Sequence, residues 1–231
     1  MSERGRPRAF DRDVALRTAM QVFWERGYEG TSVSDLTGAL GINRPSLYAA
    51  FGCKEALFRE AVALYSRVEG AATEAAMRDA PTARGAVEAM LRNNAAAYVH
   101  PANPPGCMVV LSAAIGTPET SEVRAFLADI RRQTEEALRH RIARGVEDGE
   151  LPPGTDAASL AGFYSTLLSG LSMQARDGAT AESLERIIDH ALAVWDGAGR
   201  GGDGILTGGS LGGWGDGASA ARSADEGRIG G

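Results

Sequence analysis

Apolar residues in the N-terminal part of the chain recur every three or four positions, in short blocks that end at glycines. The first block lies between Asp11, a good helix cap, and Gly27. The second begins after Ser32, which is followed by an acid at capping-box spacing. The third begins after Asn43 and ends at Gly52. The pattern predicts three short helices with a tight turn between the last two, which is a helix-turn-helix unit over residues 11–60.

The apolar spacing continues in longer blocks from residue 61 to residue 196. The most regular block extends from Val123 to Val146. Two further blocks follow the capping residues Asp156 and Thr180. No segment shows the alternation and the β-branched residues of a strand, so we predict an all-α fold of about nine helices.

Both ends of the chain lack this spacing. Residues 1–10 alternate arginine with Gly5 and Pro7, and we predict an extended, flexible basic arm there. Residues 197–231 hold 14 of the 30 glycines. A segment of this composition buries too little apolar surface to offset the entropy of ordering it, so we predict a disordered tail.

Composition and charge narrow the class of protein. Hydrophobic residues make up 44% of the chain and charged residues 23%, and no apolar run of about 18 residues could span a bilayer. No apolar signal segment follows the polar N-terminus, so we expect a cytoplasmic protein without a membrane partner. The formal net charge of -6 is uneven, because residues 1–60 carry +1 and the remainder -7. Any contact with DNA is therefore expected in the N-terminal quarter.

Groups for catalysis or metal binding are few. Cys53 and Cys107 are too few for a disulfide framework or a four-thiolate zinc site. His100, His140 and His190 lie in no nucleophile motif. We therefore predict no catalytic residues, no metal and no cofactor. An enzyme that uses Cys107 or a histidine is the remote alternative.

The helix-turn-helix unit allows a closer comparison. The block AMQVFWERGYEGTSVSDLTGALGINRPSLYAAFGCKEALFREA resembles the N-terminal domain of the TetR family of bacterial transcriptional repressors, over roughly residues 8–65. Its markers are Phe23, Gly27, Tyr28, Thr31, Ser32, Leu36, Gly41, Leu47, Tyr48, Phe51, Lys54, Glu55, Leu57 and Phe58. The resemblance implies a homodimeric repressor that binds a palindromic operator in double-stranded DNA and is released by a small-molecule effector. It also implies that residues 61–196 form a helical domain for ligand binding and dimerisation.

The third helix of the unit is expected to enter the major groove. Arg44 begins this helix, where its guanidinium can pair with guanine O6 and N7, and Pro45 beside it can contact a thymine methyl group. Other contacts, mainly to phosphates, are expected from side chains near the start of the second helix, within the third helix and at the start of the fourth: Thr31, Ser32, Ser34, Ser46, Tyr48 and Lys54.

Each of these contacts has a structural alternative. Arg44 can instead be a solvated surface charge, and Tyr48 can be a core residue. Thr31 and Ser32 can be helix caps that make no contact with DNA. Many family members carry larger side chains where this chain has Ala49 and Ala50, which removes contacts with DNA.

The arm offers a further contact. Arg4-Gly5-Arg6-Pro7 matches the core of an AT-hook, so Arg4 and Arg6 are predicted to lie in a narrow minor groove. The alternative is a solvated arm that makes no such contact.

The effector site is less specific in the sequence. Asn94 interrupts an apolar helix face, and a buried amide needs partners from the protein or from a ligand. Residues that are expected to line the same cavity are Tyr98, Cys107, Leu111, Phe126 and Tyr164. Such a pocket suits a hydrophobic or aromatic effector. For each of them a place in the core is the alternative.

The last two helices are expected to form a four-helix interface between subunits. Its predicted contacts are Leu167, Leu171, Ile188 and Trp195. A second hypothesis is a thiol-based sensor of oxidants or electrophiles on the same fold. Cys53 lies at a helix N-terminus beside Lys54, where a thiolate is stabilised, and Cys107 follows a Pro-Pro-Gly breaker.

Overall fold

The computed structural model describes residues 10–112 and 120–198, and all regular structure in these two segments is helical. The predicted all-α fold is confirmed, with ten helices in the described part rather than about nine. Their bounds are α1 Arg12–Arg26, α2 Val33–Leu40, α3 Arg44–Phe51, α4 Lys54–Glu69, α5 Ala71–Asp79, α6 Ala83–Tyr98, α7 Met108–Leu111, α8 Ser121–Glu147, α9 Ala157–Arg176 and α10 Ala181–Ala198. The predicted minor-groove residues Arg4 and Arg6, and the predicted tail beyond residue 198, lie outside the described residues.

The pattern of apolar residues did not predict α5 and α7. No residue of α5 is buried, and its apolar residues are mostly alanines, whose small side chains give a weak apolar signal. The four residues of α7 make about one turn, which is too short to show a period. Both helices lack the signal on which the prediction depended.

The first three helices begin at their predicted caps. Asp11 caps α1, and Asn43 caps α3. Ser32 and Asp35 form a reciprocal capping box, in which the Asp35 N–H donates to Ser32 Oγ over 3.1 Å and the Ser32 N–H donates to Asp35 Oδ2 over 2.8 Å. Gly41 ends α2 at a φ of 65°, a left-handed conformation that glycine adopts without a steric penalty.

Buried side chains form two clusters. One cluster contains residues of the first four helices and is centred on the edge-on pair Phe23 and Phe58, whose ring centroids are 5.0 Å apart. It also includes Met108 of α7 and Leu127 of α8. The other joins α6, the C-terminal part of α8, α9 and α10 around Tyr164. The core of the helix-turn-helix unit therefore includes residues beyond position 60. The domain limit that we placed at residue 60 stays a prediction.

The segment before α7 connects the two halves. The Trp24 indole N–H of α1 donates to the Gly106 carbonyl over 2.8 Å, and this bond is buried. The Gly106 N–H donates to the Tyr98 carbonyl at the end of α6 over 2.9 Å. The Cys107 N–H donates to Ser172 Oγ of α9 over 2.8 Å. Three helices from both halves thus meet at two consecutive residues.

Candidate functional site

Helix α3 presents one face to its own core and the other to solvent. Leu47 and Phe51 are buried one turn apart. Arg44, Pro45 and Tyr48 are exposed on the opposite side, and 45% of Tyr48 is accessible, so this tyrosine is not a core residue. Within the described segments, Arg44 forms no hydrogen bond or ion pair with another residue. Its guanidinium is therefore available to a partner outside the chain.

The hydroxyl groups near α2 and α3 differ in their surroundings. Thr31 is fully buried, and its hydroxyl donates to the Gly27 carbonyl over 2.7 Å, which fits the structural alternative. Ser32 is exposed but engaged in the capping box, and its hydrogen bonds lower the pKa of the Asp35 carboxyl. Ser34 is exposed on α2, and Ser46 is half-buried on α3. Ser34 is thus the most open of these hydroxyl groups to an external partner.

Lys54 begins α4 and is held against an aromatic ring. Its Nζ lies 4.1 Å from the centroid of the Tyr28 ring. Burial lowers the pKa of Lys54, while the nearby carboxylates of Glu29 and Asp35 oppose that shift. The sequence predicted a phosphate contact for Lys54. It did not predict that the Tyr28 ring holds the ammonium group of Lys54 in position.

A cavity of about 770 Å³ lies among α4, α5, α6, α8 and α9. Of the residues predicted to bind an effector, Asn94, Tyr98 and Cys107 line it. The Asn94 Nδ2 donates to Thr73 Oγ1 over 2.7 Å and to the Met90 carbonyl over 2.8 Å. No described residue donates to the Asn94 side-chain oxygen, so the amide keeps one free acceptor.

The Cys107 thiol lines this cavity, as do Tyr65 and Tyr98. Both phenol groups are close enough to Cys107 to interact with it electrostatically. Burial raises the pKa of both tyrosines, so they remain protonated donors. Cys53 is exposed by contrast, and its sulfur accepts from the Ala56 N–H over 3.3 Å as the cap of α4.

Three residues predicted for the cavity lie elsewhere. The Tyr164 hydroxyl is buried and donates to the Ala191 carbonyl over 3.2 Å. The Phe126 ring packs under the Arg59 guanidinium at 4.5 Å. Leu111 ends α7 and is half-buried. None of the three lines this cavity.

Most of the predicted dimer contacts are buried inside the subunit itself. Leu171, Ile188 and Trp195 are 1%, 0% and 4% exposed in the isolated chain, where they belong to the core around α9 and α10. A partner subunit can bury almost no further area on them. Leu167 is only partly buried, so it alone of the four offers surface to a partner.

Sequence reasoning did not single out three other residues that line the cavity, Tyr65, Arg141 and Arg144. Arg141 is only 5% exposed, whereas an arginine on a long amphipathic helix is normally a surface charge, so no local signal distinguishes it.

Within residues 10–112 and 120–198, no three His, Cys, Asp or Glu side chains are grouped as a metal site would require. None of the described helices combines the length and the apolar character needed to cross a membrane.

Three short capped helices, a glycine turn between the last two and an exposed arginine at the start of the third define a helix-turn-helix regulator of transcription. Residues 15–61 match the model for bacterial regulatory proteins of the tetR family. Residues 83–191 match the model for the tetracyclin repressor-like C-terminal domain. The chain belongs to the TetR family of bacterial transcriptional regulators, which confirms the resemblance found in its sequence.

Individual relatives agree with this assignment. The chain is 35% identical to the HTH-type transcriptional repressor ComR of Escherichia coli K12, over 83% of this chain and 92% of that protein. A cysteine mutant of the TetR family regulator CifR, solved with a 26-bp operator duplex, is 48% identical with a TM-score of 0.79, and the match covers 82% of this chain and all of that one. A TetR regulator from Rhodococcus sp. RHA1 is 40% identical with a TM-score of 0.54, over 78% of this chain and 97% of that one. These relatives are regulators of transcription, so the chain is a regulator and not an enzyme.

Proposed function

We propose that the protein is a repressor that binds a palindromic DNA operator as a homodimer, with α3 in the major groove. The unpaired, exposed Arg44 at the start of α3 is the observation that carries this proposal, with Pro45 and Tyr48 on the same face. A guanidinium in that position can read a guanine edge, and a tyrosine one turn further along can reach a phosphate. The 48% identical CifR protein, which was solved with operator DNA, supports it.

Selection of duplexes from a random pool with the full chain tests this function. We expect enrichment of an inverted repeat whose half-sites lie about one helical turn, or a multiple of it, apart. Binding to the enriched duplex should be about a thousandfold or more tighter than binding to random duplex at the same salt concentration. A pool that shows no enriched sequence after selection contradicts the proposal.

Dimerisation is proposed to use the outer face of α9 and α10 in place of the buried residues predicted from the sequence. Phe163 and Met173 of α9 are 41% and 43% exposed although both are large and apolar. Leu167 lies one turn after Phe163, and Ile187 of α10 is also only partly buried. Exposed apolar side chains of this kind gain burial when a second chain covers them, and two copies of this face form a four-helix contact.

Phe163→Asp is expected to convert the protein from dimer to monomer at micromolar concentration, because it places a charge in the apolar contact. Analytical ultracentrifugation gives the mass, and circular dichroism checks that the fold is kept. Val68→Asp is the matched control, since Val68 is 56% exposed on α4, away from α9 and α10. If Phe163→Asp sediments as a dimer with the wild-type affinity, α9 is not the interface.

The cavity is proposed to hold the small-molecule effector that releases the operator. Tyr98 and Cys107 line the cavity and flank Gly106, whose carbonyl binds the Trp24 indole of α1. A ligand that moves this segment therefore changes the position of α1 and, with it, the helix-turn-helix unit. Only a ligand with different affinities for the two arrangements shifts the equilibrium between them.

The position of Cys107 favours a second candidate, a regulator that responds to electrophiles or oxidants through this thiol. The Cys107 thiol lines the cavity together with the phenol groups of Tyr65 and Tyr98, so a reagent that enters the cavity can reach it. A thiol that gains a bulky adduct at this point would displace the segment that contacts Trp24. Cys53 caps α4 and does not line the cavity, so Cys107 is the stronger of the two cysteines for this role.

Alkylation with N-ethylmaleimide separates the two candidates. If Cys107 is the sensor, the reagent should lower operator affinity at least tenfold in the wild type and in Cys53→Ser, while Cys107→Ser keeps its affinity. Electrophoretic mobility shift measures binding, and mass spectrometry counts the adducts. Equal loss of affinity in Cys107→Ser and the wild type would exclude Cys107 as the sensor.

A further inference from the structure

Arg141 of α8 is a buried guanidinium whose hydrogen-bonding capacity is not met within the described chain. Its Nη2 donates to the Ala80 carbonyl over 3.1 Å. Its Nε and Nη1 are buried and have no hydrogen-bond partner. A buried charged group that lacks partners is costly, so such a group indicates a partner that binds from outside the chain.

Among the described residues Arg141 forms one ion pair, and that pair is long. The Glu150 carboxylate lies 3.9 Å from Nη1, and its other oxygen accepts from the Ala83 N–H over 2.5 Å. Burial lowers the pKa of Arg141 most, the charge of Arg144 one turn further along α8 lowers it further, and the carboxylates of Glu150 and Asp148 act in the opposite direction. Arg144 is exposed and has no ion-pair partner among the described residues. Arg141 and Arg144 are thus two neighbouring cations near Glu150 and Asp148, and neither makes a close ion pair among the described residues.

Both arginines line the cavity already described, at one end of an elongated space. The cavity follows α8 from Ile130 to Arg144, a distance of about 21 Å at 1.5 Å per residue. Between the two ends its wall includes Met90, Tyr98 and Leu168. The wall near α5 carries Arg141 and Arg144 beside Glu74, Arg131 lies near the other end, and apolar side chains line the space between them.

We infer that the cavity binds an amphipathic organic anion, whose carboxylate or phosphate group pairs with Arg141 and Arg144 while its apolar part extends along α8 towards Cys107. A guanidinium matches the geometry of either anion, and the anion supplies the acceptors that Arg141 lacks. This inference rests on the effector role proposed for the cavity and names the chemical class of the ligand. The apolar part of this ligand agrees with the hydrophobic or aromatic effector expected from the sequence. The sequence did not predict its negatively charged group.

Three probes of equal chain length test the inference on the full wild-type protein: decanoate, decyl phosphate and decan-1-ol. Isothermal titration calorimetry should show at least tenfold tighter binding of one or both anions than of the alcohol. The ratio of the two anions identifies the head group. If the alcohol binds as tightly as both anions, the inference is overturned without the need for any variant.

Variants then assign the preference to these residues. Arg141→Gln removes the charge and keeps a donor for Ala80, and it should reduce the preference for the anion to less than twofold at unchanged or higher apo thermal stability. Arg144→Gln should reduce it at least threefold. Arg139→Gln is the control, because Arg139 lies on α8, pairs with Glu136 and does not line the cavity. Retention of the full preference in both cavity variants, with lower apo stability in Arg141→Gln, would make Arg141 structural and overturn the inference.

The same samples separate this inference from the proposed function. An anion that binds in the wild type and loses its advantage in Arg141→Gln supports the site, whatever its effect on operator affinity. If that anion leaves operator affinity unchanged, the anion site stands and the proposed effector role of the cavity fails. If operator binding is intact and no anion is preferred, the inference fails and the repressor function stands.

Discussion

Arg44→Ala is expected to abolish most of the preference of the protein for its operator over random DNA. The guanidinium of Arg44 is exposed and unpaired at the start of α3, so its removal takes away a base contact without disturbing the core. A bidentate contact with guanine contributes about 1 to 3 kcal/mol of discrimination, and a homodimer makes it twice. Binding to the selected duplex and to random duplex at one salt concentration measures the difference.

Lys54→Ala is the comparison for this experiment. Its ammonium group is fixed over the Tyr28 ring and is expected to contact a phosphate, which carries no sequence information. The lysine variant should weaken binding to both duplexes by about the same factor and reduce the dependence on salt. If Arg44→Ala behaves in the same way, with equal losses on both duplexes, Arg44 contacts the backbone and does not read a base.

Gly106→Ala is expected to destabilise the protein by about 2 to 5 kcal/mol, which is large for the addition of one methyl group. The backbone φ of Gly106 is 82°, a region that alanine rarely adopts. A methyl group there would also lie 2.7 Å from the Ser172 carbonyl oxygen and 2.8 Å from Leu111 Cδ1. Thermal unfolding followed by circular dichroism measures the change.

Gly149→Ala isolates the contribution of the backbone conformation. Gly149 has a φ of 79°, and a methyl group added to it would meet no atom within 4 Å. This variant should lose only about 1 kcal/mol, so the difference between the two variants measures the crowding at Gly106. Similar losses in both would show that the junction between α1, α6 and α9 adapts to the extra atom.

The helix-turn-helix unit was predictable because its signals are local. Ser32 and Asp35, three residues apart, fix the start of α2 whatever surrounds them, and Asn43 does the same for α3. Thr31 shows the limit of such reasoning. A hydroxyl near a helix start can face a phosphate or the preceding turn, and only the fold shows that it donates to Gly27.

The division of apolar residues between the core and a possible interface was not predictable for a different reason. Leu171, Ile188 and Trp195 lie on apolar faces at helical spacing, but the spacing is the same whether a face is covered by the same chain or by a second one. The cavity has a similar limit, because Tyr65, Asn94 and Arg141 come from three helices and meet only through tertiary packing. Neither assignment could be made from one segment at a time.

The shared core of the N-terminal helices has a consequence for the construction of chimeric regulators. Phe23 and Phe58 pack in one cluster with Met108, Val123 and Leu127, which come from much later in the chain. A graft of residues 11–60 onto the sensory half of another family member would set these aromatic rings against a surface that was not shaped for them. The unit to transfer is therefore discontinuous and consists of the first four helices together with α7 and the first two turns of α8. To exchange DNA specificity alone, it is better to change the exposed residues of α3.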